Sequence, residues 1–104
     1  MQQTMQSNTS VLMTPATDIV ASQVQALHTA LCEAIEQGTI HIELDFRAVA
    51  MVDSAGLGVL ISAQNTLREH GGGLTVSQVS PDIAKLFQLM RLDKHFTVRA
   101  QDNV

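Results

Sequence analysis

The segment Met51-Val52-Asp53-Ser54-Ala55-Gly56-Leu57-Gly58 decides how this chain is read, because a strand pattern runs into it and a helical pattern runs out of it. Upstream, Ile40, Ile42, Leu44 and Phe46 alternate with His41, Glu43 and Asp45, the two-residue period of a strand with one wet face. Val49 to Val52 is a second apolar patch leading into the segment. Downstream, Leu57, Leu60, Ile61, Gln64 and Leu67 fall at helical spacing, and Gly71-Gly72-Gly73 stops that helix. Ser54 is therefore predicted at a helix N-terminus. Unpaired backbone N–H groups and the positive end of the helix dipole favour an anion there.

Spacing alone leaves two readings of Ser54. In one, Ser54 or Asp53 is an ordinary N-cap, and Gly56 and Gly58 let the helix approach the sheet. In the other, Ser54 is a phosphorylation site whose added charge meets the helix terminus on one side and Asp53 on the other.

The same patterns extend outward. Val11-Leu12-Met13 is a short apolar run ending at Thr14-Pro15. Thr17 or Asp18 is predicted to cap a first helix whose stripe is Val20, Val24, Leu27, Leu31 and Ile35, with Gly38 as its stop. After the triple glycine, Leu74, Val76 and Val79 suggest a strand. Ser80-Pro81-Asp82 opens a helix with a cap, a proline at the first turn and an acid near the positive end. Ile83, Leu86, Phe87 and Met90 form its buried stripe, and Phe96 and Val98 a last short strand. Strand and helix alternate throughout, which predicts a small single α/β domain. Its sheet of about four strands should be mixed but mostly parallel, with helices mainly on one face, since the strands read half wet instead of apolar throughout. Residues 1–10 are expected to be a polar arm, 11–100 the domain and 101–104 a tail.

Composition narrows the function classes. At 104 residues the chain fits one domain, and its net charge of −4 argues against direct nucleic-acid binding, which needs clustered Lys and Arg. There is no Trp or Tyr for a base-stacking platform, and the single Cys rules out a disulfide framework. No apolar stretch is long enough to insert into a membrane. MQQTMQSNTS lacks the basic and apolar regions of a secretory signal, so a cytoplasmic location is expected.

Enzyme motifs fail residue by residue. A nucleophile elbow would need glycine where Val52 stands, a phosphate-binding P-loop would need lysine at Val59, and a dinucleotide fingerprint would need glycine at Ile61. His28, His41, His70 and His95 are dispersed, so no metal site is expected. Cys32 borders the first helix's stripe as a half-buried thiol, and nothing suggests that Asp45 and Asp53 share a proton. Neither catalysis nor a cofactor is expected.

From Ile40 to Val98 the chain resembles a STAS domain, the fold of bacterial anti-sigma factor antagonists. The resemblance is carried by the strand IHIELDF, the motif MVDSAGLGVLI, the glycine break after LREHGGG, and VSPDIAKLFQLMRLDKHF. It implies that Ser54, directly after the motif aspartate, is phosphorylated by a partner anti-sigma factor that is itself a serine-protein kinase, and that a PP2C-type phosphatase reverses this. The unphosphorylated form would bind the anti-sigma factor, a partner-switching role in transcription regulation. Asp18 matches the family's aspartate at the start of the first helix, and Asp53, Ala55, Gly56 and Leu57 would flank the serine on the docking surface. Ala55 stands where a second hydroxyl is common, and the N-terminal strand is shorter than usual. The exposed edge this leaves suggests a homodimer. The same family also supports a signalling adaptor in chemotaxis or biofilm pathways, or a non-catalytic subunit of a lipid-transport complex.

Overall fold

The computed structural model describes residues 9–101. The readings of an N-terminal arm and a C-terminal tail fall mostly outside them; Ser10, assigned to the arm, already belongs to the first strand. The order is β1 (Ser10–Met13), α1 (Val24–Glu36), β2 (His41–Asp45), α2 (Ser54–Glu69), β3 (Gly73–Val79), α3 (Pro81–Leu89), a 3-10 turn (Leu92–Lys94) and β4 (Thr97–Ala100).

The strands lie side by side in the order β1-β2-β3-β4, and every pair is parallel. The expectation of a mixed sheet is thus corrected: among the described residues each strand is joined to the next through an α-helix, so no antiparallel hairpin forms. Register explains the half-wet strands. Val11, Ile42 and Leu74 form one row across the sheet, and Met13, Leu44, Val76 and Val98 the next. Both rows belong to the core or pack against it. The alternate row, Leu12, Glu43, Thr75 and Thr97, stays at least partly exposed. The core is continued by Leu31, Leu60 and Leu67 from the helices, and by three phenylalanines. Phe87 meets Phe96 edge to face with centroids 5.5 Å apart, and Phe46 at 6.5 Å. Such tilted ring pairs follow from the ring quadrupole.

The start of α1 departs from the periodicity. The helix begins at Val24 with Gln23 as a cap that makes no side-chain bond, so neither Thr17 nor Asp18 caps it and Val20 lies outside it. The reason is tertiary. Ile19, only 2% exposed, forms an isolated parallel bridge with Val52, and the chain then turns, the Gln23 N–H donating to the Val20 carbonyl at 2.8 Å, before the helix starts. The glycine break has a similar logic: a Cβ on Gly72 would overlap the Ile40 carbonyl, so only glycine allows β3 to start this close to β2. Ser80 behaves as read, its Oγ accepting the Ile83 N–H at 3.3 Å, with Pro81 in the first turn.

Candidate functional site

The two segments that meet at Ile19 and Val52 build the site. The Ile19 N–H donates to the Met51 carbonyl at 3.0 Å, and the Asp53 N–H to the Ile19 carbonyl at 3.2 Å. Two carboxylates then clasp this bridge from opposite sides. Asp18 Oδ1 accepts the backbone N–H groups of Ala50 (2.8 Å) and Met51 (3.2 Å). Asp53 answers with Oδ2 on the Ala21 N–H and Oδ1 on the Gly56 N–H, both at 3.0 Å. Asp53 is thereby the N-cap of α2, extended at φ −103° and ψ −173°, and it bonds the third helical residue as such caps do. These bonds favour the ionised form: the Gly56 N–H first and the Ala21 N–H second hold the Asp53 carboxyl below the ordinary carboxylate range.

Ser54 is the first residue of α2 and is exposed. Of the two capping candidates, Asp53 is the cap. Among the described residues the Ser54 hydroxyl enters no hydrogen bond of the fold, so modification would break none. Gly56 is buried, and a Cβ there would overlap the Ile19 carbonyl; this is the close approach that the motif glycine allows. Gly58 is not used in that way, since a Cβ there would meet nothing.

The structure divides the residues that the resemblance placed on a docking surface. Ser54 is exposed, and Asp18, Asp53 and Ala55 are half-buried. Gly56 and Leu57 are buried, and this corrects their placement: Gly56 seats the helix on Ile19, and Leu57, 7% exposed, belongs to the core. Asp18 also changes role, because it braces the 50–51 loop instead of capping α1. Sequence reasoning missed Ile19, Ala21 and Met51. No local pattern could have paired Ala21 with Asp53 across 32 positions, but Met51, apolar yet directly before an inward Val52, breaks the strand-like run visibly.

Asp45 and Asp53 are separate devices. Asp45, 5% exposed, binds Arg47 through both carboxylate oxygens, with a shortest contact of 2.7 Å. The Arg47 guanidinium lowers its pKa against the opposing effect of burial. No group of three metal-ligating side chains occurs among the described residues, and no helix there is long and apolar enough to cross a membrane.

Known proteins share this fold. A family model described as "Mlab, STAS domain" matches residues 1–99, and the chain belongs to the STAS-domain family. An anti-sigma F factor antagonist of Paenibacillus polymyxa is 30% identical over 78 residues, which cover 74% of this chain but only 61% of that protein. Among solved structures, a Thermotoga maritima protein described as a candidate anti-sigma factor antagonist superposes with a TM-score of 0.82 at 18% identity, over 91% of this chain and 80% of its own. The Bacillus anti-sigma factor antagonist SpoIIAA is similar in two forms, both at 20% identity. Its unphosphorylated form gives a TM-score of 0.70 over 94% of this chain and 84% of its own, and its phosphorylated form 0.69 over 89% and 85%. At these identities the structural likeness shows the fold.

Proposed function

We propose that the chain is a non-catalytic, cytoplasmic partner-switching regulator controlled at Ser54. Unphosphorylated, it binds an anti-sigma factor that is also a serine-protein kinase; phosphorylated, it is released, and a PP2C-type phosphatase restores it. The observation that carries this reading is the exposed Ser54 hydroxyl, presented at the first position of α2 while Asp53 does the capping. A hydroxyl committed to the fold would resist a kinase; this one is offered to solvent. Further support comes from the similar SpoIIAA, solved with and without its phosphate.

The expected switch is electrostatic and local. A phosphate brings about −1.5 to −2 charges at neutral pH. At the start of α2 the helix dipole tolerates it, while a docking partner would have to desolvate it. The clasp between residues 18–21 and 50–53 keeps its bonds in this scheme, so the domain need not refold.

The test is intact-mass spectrometry of the chain from its native cell, beside a Ser54→Ala variant. A phosphate present in the natural chain and absent in the variant supports the switch. An unmodified chain across growth and stress conditions removes it. A second reading, a non-catalytic subunit of a lipid-transport complex, draws on the family model, whose description names Mlab and not an antagonist. It needs no phosphate and would gain from that negative result.

A further inference from the structure

We infer that a cavity on the open face of the sheet binds a small, net-neutral dipolar molecule of the amino-acid or dipeptide type. It is separate from the switch: it lies at the amino ends of the strands, whereas Ser54 follows the carboxyl end of β2. The cavity measures about 860 Å³, room for a small organic molecule, and all four strands, the 3-10 turn and Gln64 of α2 line it. Gln64 is only 7% exposed. Its Oε1 accepts the Leu74 N–H at 2.8 Å, which fixes the amide and leaves both N–H bonds of Nε2 without a partner among the described residues. No fully buried polar side-chain atom there lacks a partner, so Nε2 reaches the surface, and it does so at the cavity. A polar group this deep is normally paired, and only an acceptor in the cavity can pair this one.

Gly73 opens the way to that amide. It is the first residue of β3 and pairs with His41. A Cβ on Gly73 would first meet Gln64 Oε1, at 3.6 Å, which is ordinary contact, and its φ is not in the left-handed region. The fold therefore does not demand glycine here, in contrast to Gly72, and glycine weakens a strand. The missing side chain leaves a notch over the Gln64 amide, the kind of close approach to a ligand that a strand glycine permits.

The charges around the notch select the guest. Glu43 and Asp93 are acids, Lys94 is a cation, and Thr75 and Thr97 add hydroxyls. None of these side chains makes a hydrogen bond or ion pair among the described residues, whereas Asp18, Asp45 and Asp53 are all committed to the fold. Groups of both signs disfavour a purely anionic or purely cationic guest, which would meet its own sign on one wall. His41 and His95 complete the lining and can face either sign. Phe96 is buried and offers no ring face on which a sugar could stack. A carboxylate taking the Gln64 N–H groups near Lys94, with an ammonium toward Glu43, answers the lining group by group.

The test is a titration of the full, nitrogen-15-labelled chain with glycylglycine, followed by NMR, with acetate and ethylammonium as single-charge controls. Glycylglycine is expected to shift the Gln64 side-chain amide and the Leu74 N–H saturably, and each control to bind about tenfold more weakly or worse. Gly73→Ala, which fills the notch, should weaken binding about tenfold with a melting temperature no lower than that of the natural chain. Glu43→Gln, at a half-buried position, should weaken it about threefold through loss of the acid. Absence of a saturable shift at Gln64 and Leu74 overturns the site. Natural affinity in Gly73→Ala overturns the notch as its entrance, and acetate binding as tightly as glycylglycine overturns the dipolar guest. Phosphorylation of Ser54 is independent of each of these results.

Discussion

Helices α2 and α3 both start just after a strand-side turn and both carry a side-chain cap, yet the two starts are built on different principles. The start of α3 is local: Ser80 caps Ile83, Pro81 fixes the first turn, and every partner lies within four positions. The start of α2 depends on a segment more than thirty residues away. Asp53 bonds Gly56 on its own helix but also Ala21, Asp18 reaches back to Ala50 and Met51, and Gly56 rests on Ile19. A helix end that only has to begin can be self-contained. One that presents Ser54 in a fixed position is tied to its surroundings, since a cap alone leaves the entry angle of the chain free.

That contrast can be broken most severely at Gly56. Gly56→Ala forces a methyl group into the Ile19 carbonyl and is expected to cost about 1–3 kcal/mol of stability, as overpacking does. Gly58→Ala, two residues on and in open space, is expected to be neutral or slightly stabilising because alanine favours a helix interior over glycine. Paired urea melts of the two variants check this; equal losses would show that the close approach at Ile19 is not what requires glycine.

A smaller effect is expected at the self-contained start. Ser80→Ala removes one cap bond and should cost about 1 kcal/mol. Because its contacts are local, amide exchange should quicken in the first turn of α3 and remain unchanged at Ser54. Propagation to the 50–56 segment would mean that the two helix starts are coupled.

The finest test is pH, because one cap titrates and the other does not. The Asp53 pKa is lowered in the folded state, so its contribution is complete above the ordinary carboxylate value and is lost as pH falls through the lower, folded one. Asp45, lowered by Arg47, acts in the same direction. Stability should therefore be insensitive to these groups from pH 7 to about 5 and fall below about pH 4. Asp53→Asn can still cap but does not titrate, so its melting temperature should decline less steeply in acid than that of the natural chain. Identical slopes would locate the acid sensitivity at Asp45 or elsewhere.

Much of the fold was legible because it rests on short-range patterns. The alternation from His41 to Leu44 reappears as buried and wet rows of the sheet, though Asp45, read as wet, is buried beside Arg47, and Ser80-Pro81 reappears as a helix start. The candidate serine was legible too, since a strand, an Asp-Ser pair and a helical stripe leave Ser54 little choice but a helix terminus. The sheet's fully parallel pairing and the burial of Gly56 and Leu57 escaped the sequence, and so did the start of α1. Periodicity carried α1 back to Val20 and made Asp18 a cap, because residues 18–20 are apolar and polar at spacings a helix would also use.

Sequence by itself thus determined the element order, the buried faces and the position of Ser54, all set by residues within about one helical turn or one strand of each other. Tertiary structure decided that Asp18 would brace instead of cap, that Gly56 and Leu57 would be buried, and that Met51 would stand in solvent on a pinned backbone. The physical reason is the Ile19–Val52 bridge. Ile19 exchanges backbone hydrogen bonds with Met51 and Asp53 there across more than thirty residues, and that gain outweighs the helical preference that local spacing alone would assign.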